Sequence, residues 1–241
     1  MKNKDNTTKT ITLGRYTFDI KAEGSAPNYT ITGTGAGTLV QEATNYASVA
    51  DNTKINSCFQ ELEISSYGNT TAKSLSTFIS KTNSNGGYYL ARYEASKGSD
   101  NKVKSKSAAV WNNVIQQDAA TKAREMYISQ SFESDLVNSY AWDTAIVFIQ
   151  TYSGDNDYSK QNSKNTSLAN TGTNGDKVCN IYDMASNTTE WSTETSSYDG
   201  YPCTLRGGTY HSSDGCAGAR GGYIMSDSYD DISFRSLLYI K

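Results

Sequence analysis

The polar turn within residues 180 to 191 constrains the fold of this chain more than any other stretch. Apolar Ile181 and Trp191 bracket the turn, which carries the carboxylates of Asp183 and Glu190. Apolar anchors at both ends of a bend predict β-type segments on either side of it. Carboxylate oxygens held on such a bend are also ligands that Ca²⁺ prefers. The stretch therefore predicts a domain of short strands with a candidate oxygen-ligand site at one turn.

Three short motifs follow one another in the C-terminal part of the chain. They are Tyr182–Trp191, Arg206–Tyr210 and Ser233–Arg235. In this order they resemble the formylglycine-generating enzyme family, whose fold is a variant of the C-type-lectin fold. Farther upstream, Gly86–Ala95 is similar to an early strand of that family, and Trp142–Ala145 is similar to the start of one of its helices. The resemblance covers about residues 80 to 241.

The resemblance implies an α+β, C-type-lectin-like domain of short strands with two or three helices, preceded by a small N-terminal β segment. Residues 1–45 would form the N-terminal arm or β segment, and residues 46–241 the domain. Apolar periodicity predicts further elements. Strands are predicted at Ile11–Ile20, Asn28–Thr32 and Tyr88–Tyr93, and helices at Thr71–Ser80, Ala119–Tyr127 and Trp142–Tyr152. Ser153–Asp176 is predicted to be a polar loop that is either functional or mobile.

Charge and hydropathy exclude several classes of partner. A net charge of -3 gives no electrostatic reason to expect nucleic acid or an acidic membrane as partner. No apolar run is long enough to cross a bilayer, and Met1–Thr10 has no hydrophobic segment typical of a signal peptide. The location stays unknown, and a virion-associated or surface-displayed protein is favoured over a purely cytoplasmic one.

The sulfur and imidazole content limits the chemistry. The four cysteines, Cys58, Cys179, Cys203 and Cys216, include no C-x-x-C pair, so a zinc or thioredoxin-type centre is not expected. Separate thiols are favoured over disulfides, and Cys203 and Cys216 are the pair that could form one. The single histidine, His211, excludes sites that need several imidazole ligands.

The resemblance implies a structural calcium ion at the central turn. Its ligands would be Asp183, the backbone carbonyls of Ser186 and Thr188, and Glu190. Ser186 stands where the family pattern has glycine, and glycine permits backbone angles that serine resists. The alternative is that Asp183 and Glu190 accept hydrogen bonds from backbone N–H groups around the turn.

The copper site of the resembled enzymes is not matched. Their oxidising activity depends on two cysteines shortly after the Arg-Gly-Gly strand, because thiolates are the ligands that Cu(I) prefers. Here Ser212 stands at the first position, and Cys216 reaches the second only if a gap is allowed. We therefore expect no copper and no catalysis. The alternative is an oxidase of the same family with altered chemistry that uses Cys216 and His211.

Residues 204 to 234 are rich in tyrosine, serine and aspartate, which are the side chains that binding surfaces use. The candidate ligand-binding residues are Tyr198, Tyr201, Tyr210, His211, Ser212, Ser213, Asp214, Tyr223, Ile224, Met225, Ser226, Ser228, Tyr229 and Asp230. This tail resembles that of the variable proteins of diversity-generating retroelements in phages and bacteria, which display diversified residues between fixed Arg-Gly-Gly and Phe-Arg landmarks. Arg206, Arg220 and Arg235 are expected to support the scaffold. The alternative is a fixed polar surface without a ligand.

The expected function is therefore display of a binding face to a protein or glycan receptor on a cell surface. Nucleic-acid binding and membrane insertion are not expected. Residues 1–70 could attach the protein to a larger assembly or form an oligomer.

Overall fold

The structure is a computed structural model, and part of the chain can be described in it. The described residues are 8–13, 16–22, 29–34, 78, 81–82, 84–85, 87–127, 129–155, 157–195, 200–212 and 215–240. The described helices are α1, Gln116–Glu125, and α2, Ser139–Ser153, with a short 3-10 helix at Tyr158–Lys160. The first strands are β1 Thr8–Leu13, β2 Tyr16–Ala22, β3 Tyr29–Thr34, β4 Tyr88–Leu90, β5 Ser96–Lys97, β6 Val103–Lys104 and β7 Phe132–Leu136. The later strands are β8 Lys177–Val178, β9 Ile181–Tyr182, β10 Thr189–Thr195, β11 Cys203–Arg206, β12 Arg220–Tyr223, β13 Ile232–Phe234 and β14 Ser236–Ile240.

The N-terminal strands form a three-stranded antiparallel sheet in the order β1-β2-β3. The single strand predicted over residues 11–20 is wrong, because Leu13 pairs with Tyr16 and the chain reverses between them. Only two residues separate the two strands, which is the length of a tight hairpin connection. The strand predicted at residues 28–32 is confirmed as β3.

Long-range strand pairing organises the C-terminal part. One sheet has the order β12-β11-β10-β13, in which β10 and β13 run parallel and the other neighbours antiparallel. A second sheet has the order β4-β14-β7, so the last strand of the chain lies between two strands from far upstream. The prediction of a mixed fold of helices and short strands is confirmed. The assignment to a C-type-lectin-like fold stays a prediction.

Both described helices begin earlier than their apolar residues alone predict. Helix α2 begins at Ser139 because the Asn138 side chain accepts a hydrogen bond from the N–H of Ala141, and it ends where Gly154 adopts a left-handed conformation. Helix α1 begins at Gln116, whose buried side chain donates to the carbonyl of Ser192 in β10.

Two apolar clusters fill the interior. One surrounds Trp142 of α2 and includes Phe78 and Met184. The other surrounds Trp191 of β10 and includes Phe234 of β13. Each indole N–H donates to a backbone carbonyl, so these bulky side chains are buried without an unsatisfied donor.

The segment predicted as a polar loop at Ser153–Asp176 is anchored by hydrogen bonds rather than by apolar packing. Tyr158 is fully buried, and its hydroxyl donates to Asp176 Oδ1 at 3.1 Å. Gln161 donates to the same oxygen at 3.2 Å. These bonds fix the segment beside the central turn.

Candidate functional site

The central turn is held by a buried ion pair. Arg235 donates from Nε and Nη2 to the two carboxylate oxygens of Glu190, at 3.0 and 2.6 Å, and both side chains are fully buried. The same guanidinium donates to the carbonyls of Ala91 and Tyr182 at 2.9 and 2.8 Å. Burial raises the pKa of Glu190, and the Arg235 charge opposes that shift. Arg235 therefore joins three separate segments of the chain, as expected for a scaffold residue.

Asp183 fixes the start of the turn. Its Oδ2 atom accepts hydrogen bonds from Thr171 Oγ1 at 2.8 Å and from the Gly172 N–H at 2.6 Å. Within residues 180–191, left-handed backbone angles fall on Asn180, with φ 67°, on Asp183, with φ 65°, and on Asn187, with φ 70°. Ser186 is not among the left-handed residues, and its hydroxyl accepts from the N–H of residue 164. Serine at this position is therefore accommodated without a left-handed backbone conformation.

A third buried carboxylate, Glu94, was missed by the sequence reasoning. It accepts hydrogen bonds from Asn187 Nδ2 at 2.6 Å, from the Thr188 N–H at 3.0 Å and from the Thr188 hydroxyl. Burial raises the pKa of Glu94 well above its usual range, and the charges of Asp183 and Glu190 add to that effect. Glu94 lies in the upstream motif that resembles the enzyme family, so its position was a usable signal.

The geometry of the central turn does not suit the four predicted calcium ligands. Calcium takes 6–8 oxygen ligands. Both oxygens of Glu190 face the Arg235 guanidinium, which argues against Glu190 as a ligand. Asp183 offers Oδ1, which is buried and accepts no hydrogen bond from described residues. Within the described ranges, no group of three or more His, Cys, Asp or Glu side chains could hold a metal ion. The four positions do not fit a calcium shell as placed, and calcium stays a prediction.

The described cysteines are separate thiols. Cys179, Cys203 and Cys216 form no disulfide, and Cys58 lies outside the described residues. Burial raises the pKa of Cys203 to about 12, and burial also raises the pKa of Cys216. A thiol whose pKa is raised carries little thiolate, which is the form that binds Cu(I) or attacks a substrate. The described environment of Cys216 therefore gives no support to the altered oxidase.

The Arg-Gly-Gly motif is part of the buried frame. Arg206 of β11 pairs with Asp143 of α2 at 2.5 Å, and Arg220 of β12 pairs with the other oxygen of the same carboxylate. The scaffold roles expected for Arg206 and Arg220 are confirmed. Gly208 packs so closely that an added Cβ would lie 2.1 Å from the carbonyl oxygen of Ala185.

A surface cluster follows directly after this motif. Thr209 and Ser212 form a β-bridge, which places Tyr210 and His211 at the tip of a tight turn. The two rings stack with their centroids 4.2 Å apart. The Tyr210 hydroxyl donates to Asp230 Oδ2 at 3.0 Å, and His211 Nε2 lies 3.5 Å from Asp230 Oδ1.

The electrostatics of this cluster agree with an ionised aspartate. Partial burial and the hydrogen bond to Asp230 raise the pKa of Tyr210 to about 12. The same hydrogen bond lowers the pKa of Asp230. Tyr210 therefore acts as the donor and Asp230 as the acceptor, which orients the phenol ring over His211.

The remaining candidates lie along one sheet. Tyr223 pairs with Cys203 at one end of β11, whereas Ile232 pairs with Thr189 near the other end. Residues 224–231 therefore run along the sheet towards Tyr210. The Asn112 side chain donates to the carbonyl of residue 230, and the Asn113 N–H donates to the carbonyl of residue 229. These two bonds fix the segment, a role that sequence reasoning missed.

The predicted ligand-binding residues divide into four groups. The exposed ones are Tyr201, His211, Ile224, Ser226, Ser228, Tyr229 and Asp230, while Tyr210 and Ser212 are half-buried. Tyr223 and Met225 pack against the Trp191 cluster, which leaves only part of each side chain for a ligand. Tyr198, Ser213 and Asp214 lie outside the described residues. We use the name C-terminal face for Tyr210, His211, Ile224, Tyr229 and Asp230.

Comparisons with known proteins give a weak structural likeness. No family model matches the chain, and no curated protein matches it. One solved structure that it is similar to is Treponema denticola variable protein 1, with 13% identity and a TM-score of 0.40, covering 95% of this chain and 98% of that chain. A superposition this loose does not establish a shared fold.

None of the described helices has the length and apolar character needed to cross a membrane.

Proposed function

We propose that this protein is a non-catalytic display protein whose C-terminal face binds a protein or glycan receptor on a cell surface. The observation that carries the proposal is the contrast in side-chain exposure between the strands of one sheet and the loops beside them. Every residue of β11 and β13 is buried, whereas the loops beside them expose Ile224 and Tyr229 at 42% and 52%. A fixed frame with exposed aromatic and apolar side chains is the arrangement that binding surfaces use.

The polar groups of the face add to this argument. Tyr210 is held by Asp230, and the 229–230 backbone is held by Asn112 and Asn113. Ordering these side chains before a ligand arrives reduces the entropy lost on binding. The face is therefore preorganised to bind, and it offers both aromatic area and hydrogen-bonding groups.

The proposal extends to the origin of the face. We propose a C-type-lectin-like domain of the kind found in retroelement-diversified proteins, with the N-terminal region serving for attachment. A reverse transcriptase gene beside an adenine-rich near-copy of the codons for residues 204 to 234 would support diversification. The lack of any such repeat in the source genome would contradict it.

A receptor screen with a matched control tests binding. The wild-type chain and the triple variant Tyr210→Ala, Ile224→Ala, Tyr229→Ala are applied to a glycan array and to an array of purified bacterial surface proteins. The control variant, Tyr89→Ala, Tyr152→Ala, Ile240→Ala, removes two tyrosines and one isoleucine that are exposed elsewhere.

The expected result is at least one ligand that the wild type and the control retain and the triple variant loses by more than about tenfold in Kd. If the triple variant keeps every interaction of the wild type, the C-terminal face is not the binding surface. Turnover of a cysteine-containing peptide in the presence of copper, abolished by Cys216→Ala, would favour the oxidase instead.

A further inference from the structure

A second aromatic cluster lies beside the central turn and has no role in the proposed binding face. The rings of Tyr93 and Tyr182 stack with centroids 4.4 Å apart and an interplanar angle of 15°. Their hydroxyls are hydrogen-bonded to each other. Gly172 lies so close that an added Cβ would be 2.5 Å from Tyr93 Cε1, so the backbone supports the outer edge of the stack.

Two cations are positioned over these rings. The Arg92 guanidinium carbon lies 5.5 Å from the centre of the Tyr93 ring and 5.7 Å from the centre of the Tyr182 ring. Lys177 Nζ lies 5.4 Å from the centre of the Tyr182 ring. All three distances are within the range of cation–π attraction. Arg92 and Lys177 are themselves solvent-exposed.

The Arg92 side chain is fixed in place by a strained turn. Its Nε and Nη2 atoms donate to the backbone and side-chain oxygens of Asn180, at 3.1 and 2.5 Å. Cys179 and Asn180 both have positive φ angles, 48° and 67°. Backbone strain of this kind persists only where surrounding contacts enforce it. The guanidinium is therefore held rigidly over the tyrosine pair rather than left to move freely.

We propose that Arg92, Lys177 and the Tyr182 hydroxyl form a binding site for an oxyanion of the phosphate or sulfate class. Arg92 and Lys177 supply positive charge and N–H donors on the same exposed surface. The oxygen of Tyr182 accepts hydrogen bonds from Tyr93, Lys177 and Arg92, so the group that Tyr182 can offer to an anion is its O–H donor. Charged N–H donors on either side of a phenol O–H are groups that bind such anions.

The charges and hydrogen bonds around Tyr182 also favour an anion site. The hydrogen bond from Tyr93, followed by that from Lys177, lowers the pKa of Tyr182. A phenol with a lowered pKa is a stronger hydrogen-bond donor to an anion. The carboxylates next in sequence to these residues, Glu94, Asp176 and Asp183, are all buried and accept hydrogen bonds inside the domain, whereas Arg92 and Lys177 are exposed.

Titration of the full-length protein with inorganic phosphate and sulfate tests the site. Calorimetry at constant ionic strength compares these anions with chloride. The test variant is Arg92→Gln, Lys177→Gln, and the charge-matched control is Lys102→Gln, Lys106→Gln, which removes two exposed cations elsewhere. We expect a Kd on the order of 1 mM for the wild type and the control, weakened at least about tenfold in the test variant.

A second readout reports on Tyr182 itself. The phenolate absorbance of the wild type minus that of Tyr182→Phe reports the titration of Tyr182 together with the change at Tyr93, to which it is hydrogen-bonded. Bound phosphate should raise the pKa of Tyr182, because the anion neutralises the cations that favour the phenolate. Equal responses to phosphate and chloride, or equal affinities of the test and control variants, would overturn the proposal.

A separate experiment distinguishes a free anion from a lipid headgroup as the source of the oxyanion. Vesicles of phosphatidylcholine with and without phosphatidylglycerol are compared with soluble phosphate. Binding of soluble phosphate assigns a free anion or phosphate monoester, and binding that needs phosphatidylglycerol assigns a lipid headgroup. Either result supports the site if the test variant loses it, and binding to neither source contradicts it.

Discussion

The central turn and the C-terminal face both contain a carboxylate paired with a basic side chain, but their surroundings are opposite. The Glu190–Arg235 side chains are 0% exposed, whereas those of His211 and Asp230 are 53% and 60% exposed. Removing one partner from a buried pair leaves an uncompensated charge, which is strongly destabilising. Exposed pairs contribute little because water screens them. The first pair therefore maintains the fold, and the second can change without unfolding it.

This difference bears on how far side chains of the C-terminal face can be replaced without unfolding the domain. The frame residues Arg206, Arg220 and Arg235 each bind buried oxygen atoms. Between them in sequence lie the turn tip at Tyr210 and the loop at Tyr229, which the frame holds mainly through backbone bonds. Backbone contacts do not depend on side-chain identity. Substitutions on the face should therefore alter binding more than stability.

Replacement of Arg235 by glutamine is expected to have the largest effect on stability. It leaves Glu190 buried without its partner and removes donors from the carbonyls of Ala91 and Tyr182. A loss of about 3–5 kcal/mol in the free energy of unfolding is expected, measured by urea denaturation. Lys104→Gln, which breaks an exposed pair, is the control and should leave the midpoint unchanged. Similar midpoints for both variants would show that the buried pair does not hold the turn.

The buried carboxylates give a smaller, pH-dependent effect. The pKa of Glu94 is raised above its unfolded value by burial, so folding favours its protonated form. That contribution is fully present below the unfolded pKa and is lost as pH rises towards the folded pKa. The free energy of unfolding should therefore fall as pH rises above about 5, where a glutamate of ordinary pKa is ionised in the unfolded chain, by at most about 1.4 kcal/mol per pH unit for one proton.

Glu94→Gln separates this carboxylate from its neighbours. The variant should show a shallower decline of stability with pH, because it cannot take up the proton. The pKa values of Asp183 and Glu190 are raised in the same direction, so some slope should remain. Urea denaturation across this pH range measures both slopes. An unchanged slope in the variant would mean that Glu94 is ionised throughout.

The sequence predicted local features better than the pairings between distant segments. Most of helix α2 and strand β3 follow from the apolar pattern of the sequence, and the exposure of Tyr229 and Ile224 agrees with their polar surroundings in sequence. The local sequence pattern could not predict which residue pairs with Glu190. Arg235 is separated from it by 45 residues, and only the parallel pairing of β10 with β13 brings them together.

The same limit explains the central turn. A carboxylate that could bind calcium and a carboxylate that pairs with arginine look identical in sequence, because the difference lies in a neighbour supplied by the fold. The polar segment at residues 154–176 was hard to place for a related reason. Its anchor is the buried hydrogen bond from Tyr158 to Asp176, which no apolar pattern reveals.

Asp230→Asn is expected to have the smallest effect on stability and an informative effect on the face. The denaturation midpoint should match the wild type, because Asp230 is exposed. The pKa of Tyr210 should fall from about 12, since its hydroxyl no longer donates to a charged acceptor. Absorbance titration of the phenolate, with Tyr210→Phe subtracted, measures that pKa, and Asp155→Asn is the control for loss of one exposed charge. An unchanged Tyr210 pKa would mean that Asp230 does not organise the ring, and the face would then lack the preorganisation that separates it from an ordinary polar surface.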